Sequence, residues 1–185
     1  MKISAALRTE KSKSEVSLAG VFLGDEKKCS GFLGDPDAKS FLSDLAKSNR
    51  FSGKEGALFF TCLPNDVKRG IFVAGLGEKK KFSATRLRHL GSAFLAKLKD
   101  LRFERGSIVL DSLVGNGISY ADATMALVEG IRLKEYRFDK FKSKEKKSEK
   151  PDVLKEIVLM VPDRKAFDAV KIGRASCRER VYVLV

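Results

Sequence analysis

What this sequence has little of narrows the possibilities first. There is a single histidine, His89, in 185 residues, so no His pair, His-Cys cluster or Ser-His-Asp set can be assembled within one chain. Three cysteines, Cys29, Cys62 and Cys177, are odd in number and far apart. That fits neither a disulfide framework nor a paired CxxC metal site, and they read as reduced thiols. No apolar run approaches the ~20 residues needed to span a bilayer. The opening MKISAALRTEKSKSE has no long apolar stretch after its lysine, which predicts no secretory signal, no membrane partner and a cytoplasmic location. DxDxDG, HExxH, GxSxG and P-loop patterns are missing. The acidic residues are scattered, so the sequence by itself defines no catalytic constellation.

What is present is the composition of a soluble globular domain, 43% hydrophobic beside 33% charged. A chain of this size buries roughly 70% of its unfolded surface, enough for one domain with its own core. The formal charge of +13 favours polyanions or acidic surfaces as partners. It is concentrated in two stretches: residues 79–105 hold nine Lys/Arg against two acids, and residues 134–150 hold eight against four.

Along the chain, KISAALRT and VSLAGVFLG read as strands. In GDPDAKSFLSDLAKSNRF, Asp35 is a good N-cap and Pro36 suits the first helical position. With Phe41, Leu42 and Leu45 as its apolar face, a helix is predicted over Pro36 to Ser48. ALFFTCL and GIFVAGL are two strands separated by PNDVKR, where Pro64, Asn65 and Asp66 supply turn chemistry. SATRLRHLGSAFLAKLKDL is the clearest helix: at 100° per residue Leu87, Leu90, Phe94, Leu98 and Leu101 share an arc of about 80°. GSIVLDSL is predicted as a strand, GNG as a turn, and SYADATMALVEGIRLKEY as a helix with Ser119 and Asp122 in capping-box positions. EIVLMVP is a final strand, and Asp163 caps a last helix in DRKAFDAV. Alternating strands and helices predict an α/β fold, a three-layer domain with a mixed, largely parallel sheet flanked by helices.

Between the helix and the final strand lies KFKSKEKKSEK, too polar to order itself. Tyr136, Phe138 and Phe141 just before it are expected to pin the helix exit to the body, leaving the lysine run as a solvated loop over residues 140–150.

Four features are candidate sites. His89 falls on the wet face of its helix and reads as an exposed helical residue. VAGLGEKKKF has Gly75 and Gly77 in the first positions of GxGxxG, with Lys80 where the third glycine belongs, so a plain turn is favoured over dinucleotide binding. Gly115-Asn116-Gly117 leads into the Ser119 helix and offers a nest for a phosphate-bearing ligand. Arg86, Arg88, Lys97 and Lys99 with Lys79 to Lys81 offer a cationic face to nucleic acid, though a solvated face is favoured because no aromatics are interleaved.

Beyond Lys171 the string IGRASCRERV looks like the translation of a sequencing adapter. Residues 172–185 are therefore expected to be an artefactual tail, and residues 1–171 the domain.

With the pieces in order, IFVAGLGEKKKFSATRLRHLGSAF resembles the strand, Gly-x-Gly turn and helix of the N-terminal domain of the leucyl aminopeptidase (cytosol aminopeptidase) family. VEGIRLKEYRFDKFKSK resembles that family's helix exit, with Phe141 for the usual Tyr and Lys134-Glu135 where Gly-Ser is common. The likeness extends more loosely from Met1 to about Lys171. The resemblance implies a macro-domain-like, non-catalytic N-terminal domain on the outside of a homo-hexamer. It also implies a larger catalytic domain that holds two divalent metals, zinc or manganese, and releases N-terminal amino acids from peptides. The family's Asn-Thr-Asp-Ala-Glu-Gly-Arg-like metal motif is absent from this sequence. No catalytic, cofactor-binding or metal-ligating residue is therefore assigned, and no cofactor is expected in this fragment. A stand-alone phosphate-binding module and a basic nucleic-acid-binding domain are the alternatives.

Overall fold

The computed structural model describes residues 1–8, 14–25, 40, 43–45, 47, 51–63, 66–136, 153–171 and 173. Six strands, β1 (Lys2–Leu7), β2 (Val16–Phe22), β3 (Leu58–Leu63), β4 (Asp66–Gly77), β5 (Arg105–Val109) and β6 (Glu156–Val161), form one sheet in the order β1-β6-β5-β2-β4-β3. Every neighbouring pair is parallel except the β3/β4 hairpin at one edge. Parallel neighbours need crossovers. Helix α1 (Ala84–Asp100) connects β4 to β5, and α2 (Tyr120–Glu135) follows β5 on the way to β6. A helix α3 over residues 164–171 comes after β6. The α/β class and the mixed, largely parallel sheet are as the sequence predicts.

Side-chain alternation divides the core in two. In β2, Val16, Leu18 and Phe22 join the larger cluster, which takes in Leu87, Phe94 and Leu98 of α1, Leu127 and Ile131 of α2, and Ala166 and Val170 of α3. Ala19 and Val21 point the other way, to a smaller cluster closed by Leu45 and Phe51. A strand buried on both faces reads as a nearly continuous apolar run, which is why VSLAGVF shows little polar alternation. Residues 40, 43–45 and 47 are helical, within the predicted helix, while Asp35, Pro36, Phe41 and Leu42 lie outside the described residues. So do Cys29 and Cys177, Phe138 and Phe141, the lysine run, and all of the tail except Gly173, which is helical.

Four expectations are corrected. The LDSL of GSIVLDSL is not strand but a 3-10 turn, Leu110–Leu113. The Gly20 N–H donates to Ser112 Oγ at 2.8 Å, and that hydroxyl donates to the Val109 carbonyl at 2.6 Å. A side chain thus satisfies β2 beyond Ile108, and β5 is free to turn away. The second hairpin strand starts at Asp66 rather than after PNDVKR. There the pairing opposite Cys62 and Leu63 shifts register, so the strand begins inside the supposed turn.

Leu101, counted on the apolar arc of α1, is 45% exposed. The helix ends one residue earlier in a Schellman arrangement: Phe103 N–H donates to the Leu98 carbonyl at 3.0 Å and Arg102 N–H to that of Lys99 at 3.1 Å. Arg102 takes the left-handed conformation, φ 59°, that this cap requires. Tyr136, expected to anchor the exit of α2, is 57% exposed. That end is held by charge, with the Met1 ammonium 3.3 Å from Glu135 and Arg132 pairing with the same carboxylate.

The helices meet closely at two glycines. A Cβ at Gly91 of α1 would lie 2.5 Å from the Leu127 carbonyl oxygen, and one at Gly130 of α2 would lie 2.0 Å from that of Arg88. Neither is compatible with van der Waals contact, so glycine is required for close approach. Replacing Gly130 by Ala is expected to destabilise by about 2 kcal/mol or more, an overpacking cost that exceeds alanine's advantage of about 1 kcal/mol in a helix. Arg102→Gly, which relieves the left-handed strain, should stabilise by about 1 kcal/mol. Urea unfolding of the two variants beside the parent chain measures both; a stable Gly130→Ala protein would contradict the backbone contact.

Candidate functional site

In a parallel sheet the loops gather at the carboxyl ends of the strands, and ligands bind there. Here β1 runs into Arg8, β5 into the Leu110–Leu113 turn, and β6 into Asp163, whose Oδ1 accepts the Ala166 N–H at 2.8 Å and caps α3 as predicted. Arg8 Nη1 donates to Asp111 Oδ2 at 2.7 Å, joining the ends of β1 and β5 across β6. The other Asp111 oxygen is buried without a hydrogen-bond partner among the described residues. Burial pushes the Asp111 carboxyl above the ordinary aspartate range; the Arg8 charge opposes this and that of Asp163 adds to it. Tyr120, at the start of α2, has its hydroxyl pushed up by burial and then by Asp111 and Asp163.

The glycine turn next to this cluster is not an open nest. Asn116, at φ 53°, and Gly117, at φ 80°, make the turn, and Asn116 Nδ2 donates to the carbonyls of Lys80 and Phe82, each at 3.2 Å. At the N-terminus of α2, Ser119 Oγ accepts the Asp122 N–H at 3.1 Å and donates to the Asp122 carboxylate at 2.7 Å. Ser119 is the N-cap, and the Asp122 carboxylate, bonded to the Ser119 hydroxyl rather than to a backbone N–H, adds a negative charge at this helix start. A carboxylate at the first turn of the helix disfavours a phosphate at that N-terminus.

The first glycine motif is closed as well. A Cβ at Gly75 would lie 2.0 Å from the Lys54 carbonyl oxygen, and Gly77 N–H donates to the Gly53 carbonyl at 2.7 Å. These glycines admit the neighbouring chain rather than a pyrophosphate, and both belong to β4 instead of a turn.

The basic residues do not make one face. At 100° per residue Arg86 and Lys97 lie about half a turn from Arg88 and Lys99. Arg86 pairs with Glu55 at 2.5 Å, Arg88 with Glu129 of α2 at 2.6 Å, and Lys81 with Glu78 at 3.0 Å. Several cations of the proposed nucleic-acid surface are therefore neutralised within the chain. His89 is exposed on α1, as expected. Among the described residues no three His, Cys, Asp or Glu side chains are grouped so as to hold a metal ion, so the residues present do not fit a dinuclear centre. None of the described helices is long and apolar enough to cross a membrane.

Residues 20–145 match the model of the cytosol aminopeptidase family, N-terminal domain. This chain belongs to that family. The chain is 29% identical over 175 residues to a protein of Sulfurihydrogenibium sp. (strain YO3AOP1) named "Probable cytosol aminopeptidase", covering 89% of this chain but 34% of the relative. In fold it is similar to a tomato leucine aminopeptidase mutant, TM-score 0.64 at 18% identity, covering 96% of this chain and 36% of that one. It is also similar to the bottromycin maturation enzyme BotP in complex with Mn, TM-score 0.56 at 19% identity, over 89% and 30% of the two chains. The chain thus spans about a third of the length of these relatives.

Arg8, Asp111 and Tyr120 are not singled out by the sequence, and Asp163 is marked there only as a helix cap. A usable signal existed, since Arg8 and Asp163 are charged residues within two positions of the end of an apolar strand. For Asp111, whose folded-state titration lies above its unfolded value, the protonated form is favoured by folding. Its contribution to stability is full below the ordinary aspartate range and is lost as pH rises through the raised value. Unfolding free energies measured across the acid range should therefore fall with pH more steeply in the parent chain than in Asp111→Asn; parallel profiles would refute the shift.

Proposed function

We propose that residues 1–171 are the non-catalytic accessory domain of a cytoplasmic aminopeptidase that releases N-terminal amino acids from peptides, with two divalent metals, zinc or manganese, in a separate catalytic domain. Residues 172–185 are an adapter-derived tail in this reading. The observation that carries it is the match of residues 20–145 to an N-terminal domain in a chain spanning about a third of its relatives. A neighbour solved with Mn supports a metal in the whole enzyme. The partners are then the catalytic domain of the same polypeptide and, through it, peptide substrates and a homo-hexamer with this domain on its outside.

The domain's own residues supply no step of the hydrolysis in this reading. Its two apolar clusters, one on each face of the sheet, give it the independent core an appended domain needs. The purified 185-residue chain is expected to show no turnover of leucine amide with added zinc or manganese. Reading the source locus past the codon for Lys171 should reveal a continuing frame that carries the metal-ligand motif. Turnover by the present chain, or a genomic frame that stops with the present tail, would defeat the proposal.

A further inference from the structure

We propose that the flank of α1 facing away from α2 holds a binding site for a free α-amino acid with an aliphatic side chain. The site arises from packing. Positions 88, 91 and 95 of α1 lie toward α2, about half a turn from 86, 89, 90 and 93. The glycine contact draws α1 toward α2, and on the opposite flank a cavity of about 190 Å³ remains between α1 and the β3/β4 hairpin. Leu58, Ala74, Leu76 and Leu90 line its floor. An apolar cavity of about 150 Å³ accepts benzene, so this one is large enough for a leucine side chain.

Its mouth carries one charge of each sign. Arg86 Nη2 lies 2.5 Å from Glu55 Oε2, with the two side chains 20% and 55% exposed. Arg86 Nη1 donates to the Leu76 carbonyl at 3.2 Å, which fixes the guanidinium beside the cavity floor. A guanidinium has five N–H donors in a planar fork, so it retains donors for an incoming carboxylate. Glu55, in the turn before Gly56, presents its carboxylate to solvent and can accept an ammonium group. His89 adds a ring nitrogen at the same rim. A zwitterion with an apolar side chain satisfies all three parts at once. A fatty acid leaves Glu55 unused, an amine leaves Arg86 unused, and phosphate leaves the floor unused. The existing pair is exposed on the Glu55 side and therefore weak, so a ligand with both charges can insert between its members.

The site's chemistry stands on the cavity alone. Identifying its ligand with a product of the parent enzyme rests on the aminopeptidase reading. The isotopically labelled 185-residue chain, titrated with L-leucine and followed by amide NMR, should show saturable shifts at Gly56, Ala57, Gly75 and His89. Leucinamide and isocaproate, each lacking one charge, should bind at least about tenfold more weakly. Arg86→Gln should weaken binding by a similar factor. Glu55→Gln, at an exposed turn that cannot unfold the core, should do the same, and Leu90→Trp should abolish it by filling the cavity. Absence of saturable shifts, shifts elsewhere, or binding of either analogue as tight as that of leucine overturns the site. Any of these would leave the aminopeptidase reading standing, because that is decided by turnover and by the source locus.

Discussion

Where α1 crosses α2, Gly130 lies against the carbonyl of Arg88 and Gly91 against that of Leu127. This contact sets the height and tilt of the helical layer over the sheet. It lets Leu95, Leu127 and Ile131 become fully buried, each such side chain contributing about 1.5–3 kcal/mol. It also brings Arg88 within 2.6 Å of Glu129. Below the helices, Phe94 meets Phe72 edge to face at 5.6 Å, and Phe72 meets Phe60 at 4.7 Å, carrying the packing out to β3. A helix pair held this close cannot also cover the hairpin edge, and the cavity beside Arg86 follows from that.

Electrostatics divides the molecule in a way its net charge conceals. The +13 of the chain suggests an anion-binding protein, yet Arg8, Arg86, Arg88 and Arg132 all have carboxylate partners. At the carboxyl end of the sheet, where an α/β domain would hold a phosphate, Arg8 is bonded to Asp111 and Asp163 is taken up as the cap of α3. Polar groups at the helix ends serve the fold: Ser119 and Asp163 cap, and Glu135 receives the chain's own ammonium.

The elements that were legible in the sequence are those specified by neighbours in the chain. The start of α2 follows from Ser119 and Asp122, and the start of α3 from Asp163, because a cap is a contact over three residues. The buried stripe of α1 was legible in Leu87, Phe94 and Leu98, because helical period is local. It failed at Leu101, where the cap geometry of Arg102 ends the helix first. It failed again at LDSL, where Ser112 bonds to Gly20, a residue 92 positions away. Gly75 and Gly77 resembled a nucleotide turn because glycine reports only that space is needed, not what fills it; here Gly53 and Lys54 fill it.

The sequence by itself determined the α/β class, the order of strands and helices, the capping residues and the family, since all of these rest on short-range pattern. Only the tertiary structure decided that α1 and α2 touch at two glycines, that Arg8 reaches Asp111 across β6, and that Glu55 and Arg86 share the mouth of a cavity. Each of these joins residues from different elements, and their distance depends on how the whole sheet and its helices pack rather than on any local preference.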